Sequence, residues 1–282
     1  MEKVVIGYKN RIDEAVLSGG SWQAPLTNIQ TLRLAQKARS TSAATSSTKM
    51  NIFLPKSRMV NILGVHAHNI SVDGTVRFYA GTAPGLSDVY DSGVIKVWPA
   101  IYSTLSMHWQ DFHFWSGKID EEMRKGYPQN FVHVATKDVK SQHWTIEIYD
   151  PANSDGYIEV GRVFLGRAFR PVHNVIYGAT LSWDDNSKID QSLRGVEYFD
   201  TLPMTRTASI EFDYLDRREA LEGVLELQRE SGTTREVLFI ANADDAKNMV
   251  RLAFLGRFRK MDSIKWHFLD LHQSGFEIKE LL

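Results

Sequence analysis

From Met50 onward the chain is written in short stretches that alternate apolar and polar residues, each closed by turn-forming residues. A period of two belongs to half-buried strands, because successive side chains of a strand point to opposite faces. Residues 50–54, 59–68, 75–80, 90–98, 131–135, 144–149 and 157–165 all read this way. Asp73-Gly74 and the Gly/Pro/Ser-rich segment 81–88 punctuate them. Short strands at this spacing, with no clear helix among them, predict a β-sandwich. The most regular stretch runs from Trp144 to Gly166 and reads as two strands joined by a hairpin turn at 150–156. Ile146 and Ile148 fall on one face of it, and Thr145, Glu147 and Tyr149 on the other. Gly161 to Gly166 should then lead the chain out of the sandwich.

The flanks read differently. Val4, Val5, Ile6 and Tyr8 suit a short N-terminal strand, and 26–34 a weak one. The tract Ser40-Thr-Ser-Ala-Ala-Thr-Ser-Ser-Thr48 has little apolar area to bury, so it is expected as a long loop or arm that orders on contact. Beyond residue 167, strands are expected at 177–183, 195–199 and 205–214. In the last of these, Ala208, Ile210, Phe212 and Tyr214 share one face. Asp216 followed by Glu219 makes a capping-box pair. The apolar stripe Ala220, Leu221, Val224, Leu225, Leu227 then predicts a helix over 216–230, stopped by Ser231-Gly232. Strands at 235–240, 250–258 and 263–271 follow, with 276–282 as a tail. The reading is mainly β: a jelly-roll or galactose-binding-like sandwich over 21–168, and a β-rich assembly domain carrying one packed helix over 169–282. Residues 1–20 form an N-terminal strand or arm available to complete that second domain.

Composition narrows the function. The 282 residues carry 33 Lys+Arg against 34 Asp+Glu, a net charge of -1, which gives no global reason to bind nucleic acid. There is no cysteine, so disulfides, thiolate metal sites and a cysteine nucleophile are excluded. The N-terminus lacks an apolar run of signal-peptide length, and no stretch approaches the ~20 apolar residues of a membrane span, so cytoplasmic synthesis is expected.

Catalytic motifs are missing: no G-x-S-x-G, no phosphate-binding loop, no strand-borne G-x-G-x-x-G. His66 and His68, two apart on an expected strand, share a face. With His108, His113, His133 or His143 they would suit zinc, but no H-E-x-x-H signature is present and ordinary alternation of a half-buried strand is the favoured reading. Asp184, Asp185 and Asp190, and the pair Asp244-Asp245, offer a glycoside hydrolase its two carboxylates. Such residues beside Asn and Ser more often close turns. Calcium at 184–186 lacks the spaced ligand pattern. The expectation is therefore no enzyme, no cofactor and no metal. An aromatic block spans Trp98, Tyr102, His108, Trp109, Phe112, His113, Phe114 and Trp115. Trp98, Trp109 and Trp115 are the candidates for stacking on sugar rings, whose C–H faces are apolar. Burial in a core or an interface is the favoured reading of the same residues.

The pattern of 144–166, followed by Asn174, Tyr177-Gly178, Trp183-Asp184, Gly195, Tyr198, the helix and 235–240, resembles tail-tip structural proteins of tailed bacteriophages. The distal tail proteins of long-tailed, siphovirus-type phages are the nearest in kind, and the resemblance covers roughly 50–282. It implies a virion protein assembled in the host cytoplasm. It also implies a homo-oligomeric ring at the tail tip or baseplate, joined to tail tube, tape-measure and hub proteins. The peripheral sandwich of that family resembles carbohydrate-binding modules, which implies a host-surface polysaccharide as a further partner and a carbohydrate-binding module as the alternative function. One departure stands out: the sandwich precedes the helix-bearing domain, as though inserted after a first strand at 1–10.

Overall fold

A computed structural model describes residues 3–99, 128–266 and 270–282. In chain order its strands begin with β1 (Val5–Tyr8), β2 (Val16–Ser18), β3 (Trp22–Ala24) and β4 (Ala38–Ser40). A short helix α1 (Thr45–Thr48) precedes β5 (Met50–His66), β6 (Thr75–Gly81) and β7 (Tyr90–Lys96). Then come β8 (Asn130–Tyr149), β9 (Glu159–Val160) and β10 (Arg162–Phe169). The second half opens with β11 (Thr180–Asp184), β12 (Lys188–Gln191), β13 (Glu197–Asp200) and β14 (Thr205–Leu215). Helix α2 opens at residues 217–218, runs as π-helix over Glu219–Leu225 and continues as α-helix over Glu226–Ser231. β15 (Glu236–Ile240), α3 (Met249–Leu252), β16 (Ala253–Met261), β17 (Lys265–Trp266) and β18 (His272–Glu280) complete the order. The protein is mainly β, a sandwich joined to a β-rich part with one packed helix. None of the described helices is long and apolar enough to cross a membrane.

The main sheet is antiparallel and runs β11-β14-β18-β16-β15-β1-β10-β5-β8-β6-β7. β10 is the strand that changes partners. Its first residues, Arg162 to Gly166, pair with β5, and Arg167 to Phe169 pair with β1. β1 then pairs with β15 through Val5, Ile6 and Gly7, so the N-terminus supplies a central strand between the two halves. The smaller sheet β3-β4-β9 covers the sandwich side. One core lies between these sheets, with Ile52, Trp144, Ile146 and Val160 in it. A second gathers Ile210, Phe212, Phe239 and Phe254 under Ala220, Val224 and Leu227 of α2. A third, around Phe164, Leu238 and Leu255, joins them.

Several expectations need correction. The 144–166 stretch is no hairpin: β8 and β10 flank β5 on opposite sides. The turn between them is instead anchored to the loop after β5, because Asp150 accepts from the Ser71 N–H (2.7 Å) and hydroxyl (2.5 Å) and from Asn153 (2.9 Å). The expected faces largely hold, with Ile146 and Ile148 buried and Tyr149 exposed, although Thr145 is buried too. Runs 50–54 and 59–68 are one strand that passes Pro55 at a bulge, where a missing N–H does no harm to the ladder. Residues 26–30 form a 3-10 turn instead of a strand. The 40–48 tract is packed in place: Thr48 donates to Ile148 O (2.6 Å), and Ser40 Oγ accepts from the Ile158 N–H (2.9 Å). Residues 276–282 are no tail, since β18 lies between β14 and β16.

Candidate functional site

The feature without an internal explanation is the excursion between β11 and β14. From residue 177 to 204 no side chain is buried. β12 and β13 pair only with each other, at Lys188↔Asp200, Ile189↔Phe199, Asp190↔Tyr198 and Gln191↔Glu197. The turn between them is well formed. Ser192 N–H donates to Val196 O (2.8 Å), Gly195 N–H to Ser192 O (2.9 Å), and Gly195 sits at φ 82, where a side chain would be strained. Opposite residues of an antiparallel pair share a face, so Ile189 and Phe199 form an apolar pair in solvent, 61% and 64% exposed. Leu193 at the tip is fully exposed. A lone two-stranded hairpin is marginal in water.

The base of this arm is held firmly. Lys279 of β18 donates to Asp184 (2.7 Å) and Asn186 (2.8 Å), and Asn186 donates to Pro203 O and Thr205 Oγ1. Next to it, buried Arg206 forms a two-pronged pair with buried Glu280 and donates to Val250 O (2.7 Å). Its guanidinium lies 5.1 Å from the centre of the Phe254 ring and 5.8 Å from that of Trp183. Beside this base opens a cavity of about 910 Å³. Trp183, Pro203 and Met204 of the arm base form one wall, and Leu34, Leu255 and Leu281 another. Asn69, Gln129 and Asn130 supply polar groups.

Below the cavity, the Asn130 amide touches His66 Nδ1 at 3.0 Å. With its nitrogen facing the imidazole, its oxygen accepts from Arg206 (3.1 Å). His66 is fully buried. Desolvation lowers its pKa to about 4, opposed by Asn130 and reinforced by Arg162 and Arg206.

The residues singled out in the sequence are scattered. Trp98 is not a stacking platform: it is 1% exposed, and its indole N–H donates to Ile70 O (3.1 Å) beneath the sandwich edge. Trp109 and Trp115, with Tyr102, His108, Phe112, His113 and Phe114, lie outside the described residues. His66 and His68 do not share a strand face, because β5 ends at His66 and Ala67 adopts φ 54. His133 bonds Tyr90 (2.7 Å), and His143 packs on Phe53. Among the described residues no group of three or more metal-binding side chains converges. Asp184 is paired with Lys279. Asp185 closes a turn by accepting from the Ser187 N–H (2.9 Å). Ser187 holds its pKa below the usual value, the opposite of what a general acid needs. Asp245 caps the turn at 246–248. Sequence reasoning missed the cavity. Its lining comes from segments far apart in the chain, 34–37, 67–69, 128–130, 183, 203–204, 255 and 280–282, so no local pattern announces it.

No protein-family model matches the chain, and no curated protein sequence is significantly similar to it. Among solved structures, 57% of the chain aligns with 99% of the CBM32-1 module of a family 31 glycoside hydrolase from Clostridium perfringens, at 11% identity and a TM-score of 0.33. A second alignment covers 56% of the chain and 94% of the CpGH89CBM32-4 module from the same organism, in complex with glcNAc-alpha-1,4-galactose, at 14% identity and a TM-score of 0.34.

Proposed function

We propose that this protein is a structural subunit that assembles with copies of itself through the 177–204 arm, and that the assembly is the ring at the tip of a long-tailed bacteriophage tail. The observation that carries the first part is the arm: a hairpin with an apolar face, rigidly held at its base and unpacked along its length. Burying Ile189 and Phe199 against a neighbour contributes about 2 kcal/mol each. Alone in water the hairpin has nothing comparable to hold it. The tail-tip reading follows from the sequence pattern, and the packed frame suits a subunit that must carry load between tail tube and hub proteins. Near-neutral net charge also keeps repulsion between copies small.

Mass photometry and electron microscopy of the purified protein test this. A discrete closed oligomer is expected, and its replacement by monomer in Ile189→Asp/Phe199→Asp with an unchanged unfolding midpoint. A wild type that stays monomeric at high concentration, or that is missing from phage particles, sinks the reading. A second reading, a carbohydrate-binding module, is favoured by the cavity, whose lining combines Trp183 with Asn69 and Gln129. Glycan-array binding lost in Trp183→Ala would support it.

A further inference from the structure

Another pocket, of about 430 Å³, opens where the two halves of the molecule meet, and no residue of the 177–204 arm lines it. Its floor runs across four neighbouring strands, β1, β10, β5 and β8. Tyr8 and Arg167 are partners across β1 and β10, and Met59 and Lys140 across β5 and β8, so each pair shares a face. Ser57 and Arg58 join them from the bulge of β5. Helix α2 supplies one side, through Glu222, Glu226 and Glu230.

The charges decide what fits. Each of the three carboxylates is already matched by a cation of the chain: Glu230 by Lys9 (2.6 Å) and Arg229 (2.7 Å), Glu226 by Arg229 (2.7 Å) and Glu222 by Arg218 (3.1 Å). Arg11 and Arg58 both turn to Glu14, at 3.1 and 3.4 Å. Arg58 Nε is shut off from water and makes no hydrogen bond. What remains is positive. Arg167 and Lys140 form no hydrogen bond or ion pair with another of the described residues, and the Tyr8 and Ser57 hydroxyls donate to none. Burial pushes the Tyr8 phenol up, opposed by Arg167 and reinforced by Glu226 and Glu230, so its hydroxyl keeps its proton and stays a donor. We infer that this pocket binds a phosphate group, with Arg167 and Lys140 matching its charge and the Tyr8 and Ser57 hydroxyls donating to its oxygens. A guanidinium fork, an ammonium and two hydroxyls suit a tetrahedral oxyanion, whereas a carboxylate, with two oxygens, leaves part of the set idle. The volume exceeds what phosphate alone fills and lies in the range of small-ligand sites, so the group is expected as an ester on a small polar carrier. Because both halves line the pocket, a bound phosphate bridges them and raises the unfolding midpoint.

Isothermal titration calorimetry of the full chain, at fixed ionic strength, tests this with inorganic phosphate and with glucose 1-phosphate. Arg167→Gln and Lys140→Gln, both exposed side chains, should each weaken binding about tenfold. Lys188→Gln, on the arm, makes the same change in net charge and should leave binding unchanged. Should Arg167→Gln also lower the unfolding midpoint without ligand, Lys140→Gln decides. Glucose 1-phosphate binding more tightly than phosphate assigns the pocket to esters, and equal affinities assign it to free phosphate; either upholds the site. No heat of binding from either probe at about 10 mM overturns the inference. So does binding that Arg167→Gln and Lys140→Gln leave intact, or that Lys188→Gln weakens as much as they do. The assembly reading stands or falls separately, since the arm takes no part in this pocket.

Discussion

Arg162 is the residue on which the two halves meet. It is 0% exposed, yet its guanidinium donates to both carboxylate oxygens of Glu236 (3.0 Å each), to Ile29 O (3.1 Å) and to Asp13. Burial works against its charge, but the bonds to Glu236 and Asp13 more than offset this and raise its pKa. Asn10 adds a bond to Glu236 (2.6 Å), while its oxygen accepts from Ile12 and Leu165. N-terminal segment, β10 and β15 are thus tied at one point. Removing one partner strands a buried charge, so Arg162→Met should lower stability by about 3–5 kcal/mol in urea unfolding. A loss below about 1 kcal/mol would show that the pair is dispensable. His66 gives a pH dependence. Its folded pKa, about 4, lies below the ordinary 6.5, so folding favours the neutral ring. Stability should be full above pH 6.5 and fall by up to roughly 3 kcal/mol toward pH 4. His133, also desolvated, shifts the same way. Asp91 and Glu159 are held below their usual values, by the Arg77 bond and by bonds from Arg39 and Lys37 outweighing desolvation. They lose their contributions only at lower pH. Urea midpoints that stay level from pH 7 to 4.5 contradict the assignment.

Elements show where local signals suffice. The start of α2 was legible as Asp216 and Glu219, and both bonds of the box form: Glu219 N–H to Asp216 (2.7 Å) and Asp216 N–H to Glu219 (3.3 Å). Its buried face was legible in part: Ala220, Val224 and Leu227 are at 0% exposure, but Leu225, read into the same stripe, is 46% exposed and Leu221 is only half-buried. Gly223 was not. A Cβ there would stand 2.6 Å from the Phe169 ring, which is itself buried. Helix propensity favours alanine by about 1 kcal/mol, but the ring cannot yield easily. Gly223→Ala should therefore destabilise by about 1–3 kcal/mol in thermal or urea unfolding. A stabilised variant would mean that helix and strand separate without penalty. β14 shows the limit of alternation. Ala208, Ile210 and Phe212 point inward as expected, but a bulge between Phe212 and Leu215 turns Tyr214 out and Leu215 in.

At the scale of the whole molecule, the open question is why a well-packed sheet carries an unpacked arm. A neighbouring copy that covers the arm accounts for it, and the oligomer lost in the Ile189→Asp/Phe199→Asp variant tests this. The sequence by itself determined the β class, most strand positions, the capped helix and the lack of thiol chemistry. These follow from side-chain period and backbone chemistry within a few residues. Only the tertiary structure decided which strands are neighbours: β5 between β8 and β10, β1 between β10 and β15, β18 in the middle instead of in a tail. It alone also buried Trp98, put Trp183 on the cavity wall, and made the packed element out of 40–48 and the projecting one out of 177–204. The reason is physical. Alternation says that a strand has a buried face and never what covers it, because strand partners are chosen by contacts between residues far apart in the chain.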